Sequence, residues 1–461
     1  MNNLLRIHPA DNVAVNVETG FKVSLRDIAA GEDVIKYGLP IGHATEDIPA
    51  RAVVHTHNMT TSLTEHTEYV FHGAVLPMPV RDTGETFMGY LRRDGRAGTR
   101  NEIWIIPTVG CVNKTAERLA AETGAFAFPH PYGCSQLGGD LAITRMTLRG
   151  LALNPNAGGV LVLGLGCENN TMDSFRGLLS DADPERIRFL VCQDVEDEIR
   201  EGKRLIEELK AKTAADVRVP CPLSALVVGL KCGGSDGFSG LTANPLVGRF
   251  CDRLTAAGGA AVLTEVPEMF GAETLLMDRA VSREVFDDTV RLIGRYKDYF
   301  VSHGQTVYEN PSPGNKAGGI TTLEDKSLGC TQKSGSSPVT GVLGYGDSVP
   351  AGGLYLLDGP GNDMVAVTNL TAAGCNLILF TTGRGTPLGA PVPTVKIASN
   401  AGLAQKKAHW IDFDASPVLS GDGTVDEHFF RLVLDTASGR QTQNEQSGCR
   451  EIAIFKDGVT L

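Results

Sequence analysis

Residues 160–212 read VLVLGLGCENNTMDSFRGLLSDADPERIRFLVCQDVEDEIREGKRLIEELKAK, and this stretch decides the fold. Val160–Leu165 is a short apolar run interrupted by glycine, and Ile187–Val191 is a second such run. Between Val195 and Lys212 the period changes. Val195, Ile199, Ile206 and Leu209 recur on one helical face while Glu and Lys fill the other. Short buried runs alternating with amphipathic helices predict a parallel sheet covered by helices.

The same grammar extends both ways. Upstream, Ile103–Val109 is an apolar run closed by Gly110, Lys114–Glu122 suits a helix, and Ala125–Pro129 runs into His130. VPCP at 219–222 interrupts the pattern, which resumes with strands at Ala225–Leu230, Ala260–Thr264, Leu354–Leu357 and Leu377–Thr381 and a long helix at Arg283–Phe300. Residues 1–72 differ. Their short β-like pieces, NVAVNV, FKVSL, DVIKYG and AVVHTH, are broken by Gly, Pro and Asp and predict a small β module. The reading is an α/β protein with four parts: a β module (1–72), a linker (73–86), a first α/β unit (87–222) and a second (223–461). More than one core is expected from 461 residues.

Composition excludes several functions. A formal net charge of −12 argues against a nucleic-acid or anionic-membrane surface, because both need a concentrated positive field. No stretch has the length of a membrane span, and MNNLLRIHPADN lacks the pattern of a signal peptide, so the cytoplasm is the expected compartment. Ten cysteines in a chain of this length are too dilute for a disulfide scaffold.

Chemistry concentrates where parallel sheets bind ligands, beyond the carboxyl ends of the strands. Those exits carry Cys111 and Asn113, His130 and Cys134, Cys167 with Glu168 and Asn169, Cys232 with Ser235 and Asp236, Glu265 with Glu268, and Arg384. His55 and His57 form an HxH pair in a predicted strand, where alternate residues share a face and two imidazoles can meet one divalent metal. The segment NPSPGNKAGGITTLEDKSLGCTQKSGSS (310–337) shows no apolar periodicity and is expected to be a binding loop, with Lys316 and Lys333 gripping a small anion. There is no GxxxxGK[ST], and GLGCEN lacks the third glycine of a dinucleotide fingerprint, which speaks against a nucleotide. Three thiolates from strand-end turns could ligate an iron–sulfur cluster, although no CxxC occurs; packing is the competing role for each cysteine.

Several long motifs carry a family likeness. GYLRRDGRAGTRNEIWIIPTVGCVN (89–113), HPYGCSQLGGD (130–140), VLGLGCENN (162–170), CGGSDGFSGLTANP (232–245), LTEVPEMFGAE (263–273) and the 310–337 segment resemble the altronate and galactarate dehydratase family. The resemblance covers nearly the whole chain and implies an N-terminal SAF domain of β-clip fold. It also implies a hydro-lyase that removes the C2 proton and C3 hydroxyl of a sugar acid with a divalent metal, Fe2+ first and Mn2+ second. On that basis His55, His57 and Glu265 are the expected metal ligands and His130, Glu168 and Asp236 the expected catalytic groups. Lys316, Lys333, Arg384, Ser235 and Asn113 would bind substrate. The expected partner is a small-molecule sugar acid, and the expected assembly a homodimer. Galactarate dehydration or sulfo-lyase chemistry within the same family, and a non-catalytic sugar-acid sensor, stay open as alternatives.

Overall fold

The computed structural model describes residues 3–64 and 68–461. Two fully parallel sheets dominate it. In the first, the order across the sheet is Phe126–Ala127, Glu102–Pro107, Ala157–Gly164 and Ile187–Val191. The second has seven strands in the order Val339–Leu343, Gly353–Leu357, Ala260–Leu263, Val227–Cys232, Leu377–Thr382, Thr394–Ala398 and Phe413–Asp414. Every residue of Ala157–Gly164 and of Leu377–Thr382 is buried, as expected of strands covered on both faces.

The two α/β units share a core. Trp104, Ile106 and Leu148 of the first pack in one apolar cluster with Val367, Leu370 and Ile378 of the second. The helices Gly138–Ala152 and Asp363–Ala372 meet there so closely that a Cβ on Gly150 would lie 2.3 Å from the Ala372 carbonyl oxygen. The VPCP stretch, read as a break, is the strand Val219–Pro222; it pairs antiparallel with Thr86–Leu91 and brings the two ends of the first unit together.

Residues 3–64 form two small antiparallel sheets. Their core, including Val13, Ile28, Val34, Ile41 and Val54, is completed by Ala272 and Leu328 of the second unit. The module is also tied down by charge. Lys22 and Lys36 reach Asp325 at 2.7 and 2.9 Å, all three side chains being buried. Thr322 donates to the Ile41 carbonyl, and Glu324 accepts from Thr61 and from the Ser62 N–H.

Asn310–Ser337 is not the structureless loop expected from its lack of periodicity. It contains the helices Pro313–Ala317 and Leu323–Cys330 and a 3-10 turn at Thr331–Ser334. Both helices start with caps: Ser312 and Asn315 form a capping box with Pro313 in the first turn, and Thr322 accepts from the Asp325 N–H. Leu323–Cys330 is buried on all sides, so no amphipathic stripe marks it. Among the described residues no helix is long and apolar enough to cross a membrane.

Candidate metal and acid–base centre

The strands Val227–Cys232 and Ala260–Leu263 run side by side, so their carboxyl ends deliver Lys231 and Cys232 next to the turn that follows Leu263. That turn is strained. Glu265 has φ +70°, a left-handed conformation that costs a non-glycine residue about 1–3 kcal/mol and often accompanies function. It carries Glu265 and Glu268 back over the strand ends, and the Leu323–Ser334 segment closes over them with Lys326, Cys330 and Lys333.

The side chains meet in one buried group. Cys232 Sγ lies 3.4 Å from Cys330 Sγ, and the two thiols lie 3.2 and 3.3 Å from Glu268 Oε2. Among the described residues these three form the set of His, Cys, Asp or Glu donors close enough to share one ion. Three ammoniums surround them. Lys333 Nζ sits 2.8 Å from Cys232 Sγ and 3.4 Å from Glu265, Lys326 is 2.8 Å from Glu268 Oε1, and Lys231 pairs with Glu265 and lies 2.8 Å from Asp363.

Burial and crowding set the protonation states. Burial, helped by the Glu268 charge, pushes the Glu265 carboxyl up despite Lys231 and Lys333. Burial would raise Glu268 too, but Lys326, Lys231 and Lys333 outweigh it and hold that carboxyl at about 2. Burial opposes the charge on Lys333, yet Cys232, Glu265 and Cys330 raise it well above the ordinary lysine range. The hydrogen bond with Cys232 and then burial push the Cys330 thiol well up.

The structure distributes the expected site residues over three places. Glu265 and Lys333 belong to the buried group. Ser235 and Asp236 border it, lining a cavity of about 10 Å³ together with Lys36, Asp325, Lys326 and Cys330. Asp236 accepts from Ser239, Ser399 and Asn400, while burial pushes its carboxyl up. Arg384 is exposed beside Gly234, and Lys316 is half-buried.

His55 and His57 stand on a different backbone from the one expected. The strand stops at Val54 and 55–58 is a turn, so the alternation that would put both imidazoles on one face is absent. His55 Nε2 lies 2.9 Å from the Lys316 carbonyl oxygen and burial lowers its pKa, while His57 is exposed.

The third place is the carboxyl edge of the first sheet. His130 is buried there, with Nε2 2.8 Å from the Pro107 carbonyl oxygen and Nδ1 accepting from the Tyr132 N–H. Asn113 donates to the His130 carbonyl. Glu168 accepts from Thr108 and from the N–H groups of Leu165 and Gly166; burial would raise it, but these bonds hold it below the usual range.

Sequence reading missed Lys231 and gave Lys326 and Cys330 no role in a metal site. A signal existed for Lys231: a lysine inside the apolar run VVGLKC has to be buried and therefore paired. Nothing local marks Cys330, whose partner lies 98 positions away.

The chain matches three family descriptions in tandem. These are the altronate/galactarate dehydratase SAF domain over 13–62, the D-galactarate dehydratase/altronate hydrolase second domain over 89–214, and the D-galactarate/altronate dehydratase C-terminal domain over 223–460. It is 50% identical to altronate dehydratase of Escherichia coli over 99% of both chains, and 49% identical to that of Bacillus subtilis over the whole of both. Galactarate dehydratase (L-threo-forming) of Escherichia coli is 32% identical, with 98% of this chain and 96% of that one aligned. With all three domains matched in order, the chain belongs to the altronate/galactarate dehydratase family.

Proposed function

We propose that this chain is a hydro-lyase that dehydrates D-altronate to 2-dehydro-3-deoxy-D-gluconate with the help of a divalent metal. The observation that carries the metal is the triad of Cys232, Glu268 and Cys330. Donor separations of 3.2 to 3.4 Å let one ion reach all three through bonds of about 2.0–2.3 Å. Charge bookkeeping agrees. Glu265, Glu268 and Asp363 offset Lys231, Lys326 and Lys333, and two thiolates would offset the two charges of a divalent ion. The likeness to two altronate dehydratases along their full length supports the substrate.

The chemistry needs cations. A C2 proton beside a carboxylate is weakly acidic, so its removal requires the resulting negative charge to be neutralised. When bound, the ion supplies Lewis acidity, and the two sulfur donors favour Fe2+ over Mn2+. Lys333 and Lys326 place fixed positive charge at the same spot. Glu265 and Asp236, whose carboxyls burial pushes up, are suited to take the C2 proton and to protonate the departing C3 hydroxyl, which leaves as water; the enol then becomes the keto acid. Ser235, Lys316 and Arg384 flank this region as substrate contacts. The adjoining cavity has room for about one water. The setting that goes with this reading is a cytoplasmic homodimer.

Keto-acid release from a panel of aldonates, aldarates and a sulfonated hydroxy acid tests the reading in iron-loaded, anaerobic protein. The highest kcat/KM is expected with altronate. A higher value with galactarate or the sulfonate would reassign the substrate, and saturable binding without turnover would make the protein a sensor.

His55 tests the placement of the metal. In His55→Ala the ion is expected to stay while turnover falls, because His55 holds the Lys316 carbonyl rather than the triad. Loss of the ion from His55→Ala or His57→Ala, measured by metal analysis, would return the imidazoles to the metal shell.

A further inference from the structure

A second set of cysteines has no part in the centre above. Each strand of the first sheet is followed by one: Cys111 after Glu102–Pro107, Cys134 after Phe126–Ala127, Cys167 after Ala157–Gly164 and Cys192 after Ile187–Val191. The strands are parallel, so all four exits lie at one edge. Cys111, Cys134 and Cys167 are exposed free thiols. A free cysteine normally packs as a small hydrophobe, and exposure removes that explanation.

Glycine precedes each of the three, and each time for lack of space. A Cβ on Gly110 would lie 2.9 Å from the His130 carbonyl oxygen, one on Gly133 2.0 Å from the Thr108 oxygen, and one on Gly166 2.6 Å from Gln193 Oε1. Gly133 and Gly166 also have φ of +98° and +131°. The first two approaches press the Cys111 and Cys134 turns together, and the third packs the Cys167 turn against the exit of the neighbouring strand. Hydrogen bonds lock them within two or three residues of the sulfurs: Gly110 N–H to the Tyr132 oxygen at 2.9 Å, Asn170 N–H to the Gly133 oxygen at 2.9 Å, and Ser135 N–H to Asn169 Oδ1 at 2.7 Å. Arg145 holds the third turn through the Asn169 oxygen and the Asn170 side chain.

We propose that Cys111, Cys134 and Cys167 hold an iron–sulfur cluster at the open edge of the first sheet. A single ion is the poorer match, because among the described residues these sulfurs do not form a group close enough to share one. A cluster holds its thiolates farther apart, on separate irons. Cys192 differs from the other three: it is half-buried and packs against the apolar cluster of Ile105, Leu163 and Leu190, the ordinary place of a free thiol. A [4Fe–4S] cluster held by these three thiolates would leave one iron without a protein sulfur, open to a hydroxyl or carboxylate. This site is independent of the Cys232 triad.

The test uses the full chain, produced anaerobically and reconstituted with iron salts, sulfide and thiol. About four irons and four acid-labile sulfides per chain are expected, with visible charge-transfer absorption. Cys111→Ser, Cys134→Ser and Cys167→Ser should each lose most of the sulfide and absorption at a native unfolding midpoint. Cys192→Ser and Glu268→Gln should keep both. A reconstituted chain without labile sulfide, or a cluster that survives in the triple variant, overturns the inference. Because the readouts are iron, sulfide and spectrum, they stand apart from whether altronate is turned over.

Discussion

Glu268→Gln is expected to release the divalent ion from the Cys232 triad and to lower turnover about 10²–10⁴-fold, the equivalent of the several kcal/mol that Lewis-acid stabilisation supplies. The substitution preserves volume and removes the one oxygen that both thiols approach, Oε2 at 3.2 and 3.3 Å. It also takes the carboxylate from Lys326. Metal analysis after gel filtration, with kcat measured on altronate, decides the matter. Added ferrous iron is not expected to restore the rate, since affinity and not supply has been lost. A variant that keeps both ion and rate would show that the catalytic metal lies elsewhere.

Asp325→Asn is expected to cost about 3–5 kcal/mol, the range for breaking a buried ion pair from one side. Here one carboxylate serves two fully buried ammoniums, Lys22 and Lys36, and both would lose their counter-charge. Denaturant unfolding measures the loss, and faster proteolysis between the N-terminal module and the body shows where it acts. Adding Lys22→Met to Asp325→Asn should recover part of the stability; no recovery would mean that the two charges are uncoupled.

The pH dependence has a definite sign. Burial would raise the Asp325 carboxyl, but Lys22 and Lys36 outweigh it and hold it below the ordinary range. Its contribution is therefore full above the unfolded aspartate value of about 3.9 and is lost as pH falls below that toward the native value. Asp325→Asn should flatten this acid limb of the stability curve.

Much of the architecture was legible because periodicity is local. The strands at Val227–Cys232 and Leu377–Thr382 and the helices Glu198–Thr213 and Arg283–Ser302 follow from apolar spacing alone, within the usual uncertainty at element ends. The Asn310–Ser337 segment defeated that method for a physical reason. A helix buried all round has no polar face, so Leu323–Cys330 lacks the 3.6-residue stripe, and only the Thr322 and Ser312 caps betrayed helices there. The strand expected at His55 and His57 was misread from the opposite cause: a β-like composition in AVVHTH concealed a turn that begins just after Val54.

By itself the sequence determined a β module followed by parallel α/β units, the strand-exit placement of the chemistry, and the Gly–Cys turns. All of these depend on neighbours within a few residues. The tertiary structure alone decided which of those groups meet. Cys330 joins Cys232 across 98 positions, Asp325 gathers lysines from about 300 positions away, and Lys333 lies buried against a thiol and not free in a loop. Such pairings arise because a buried charge or thiol must find its partner in space, and separation along the chain carries no trace of that requirement.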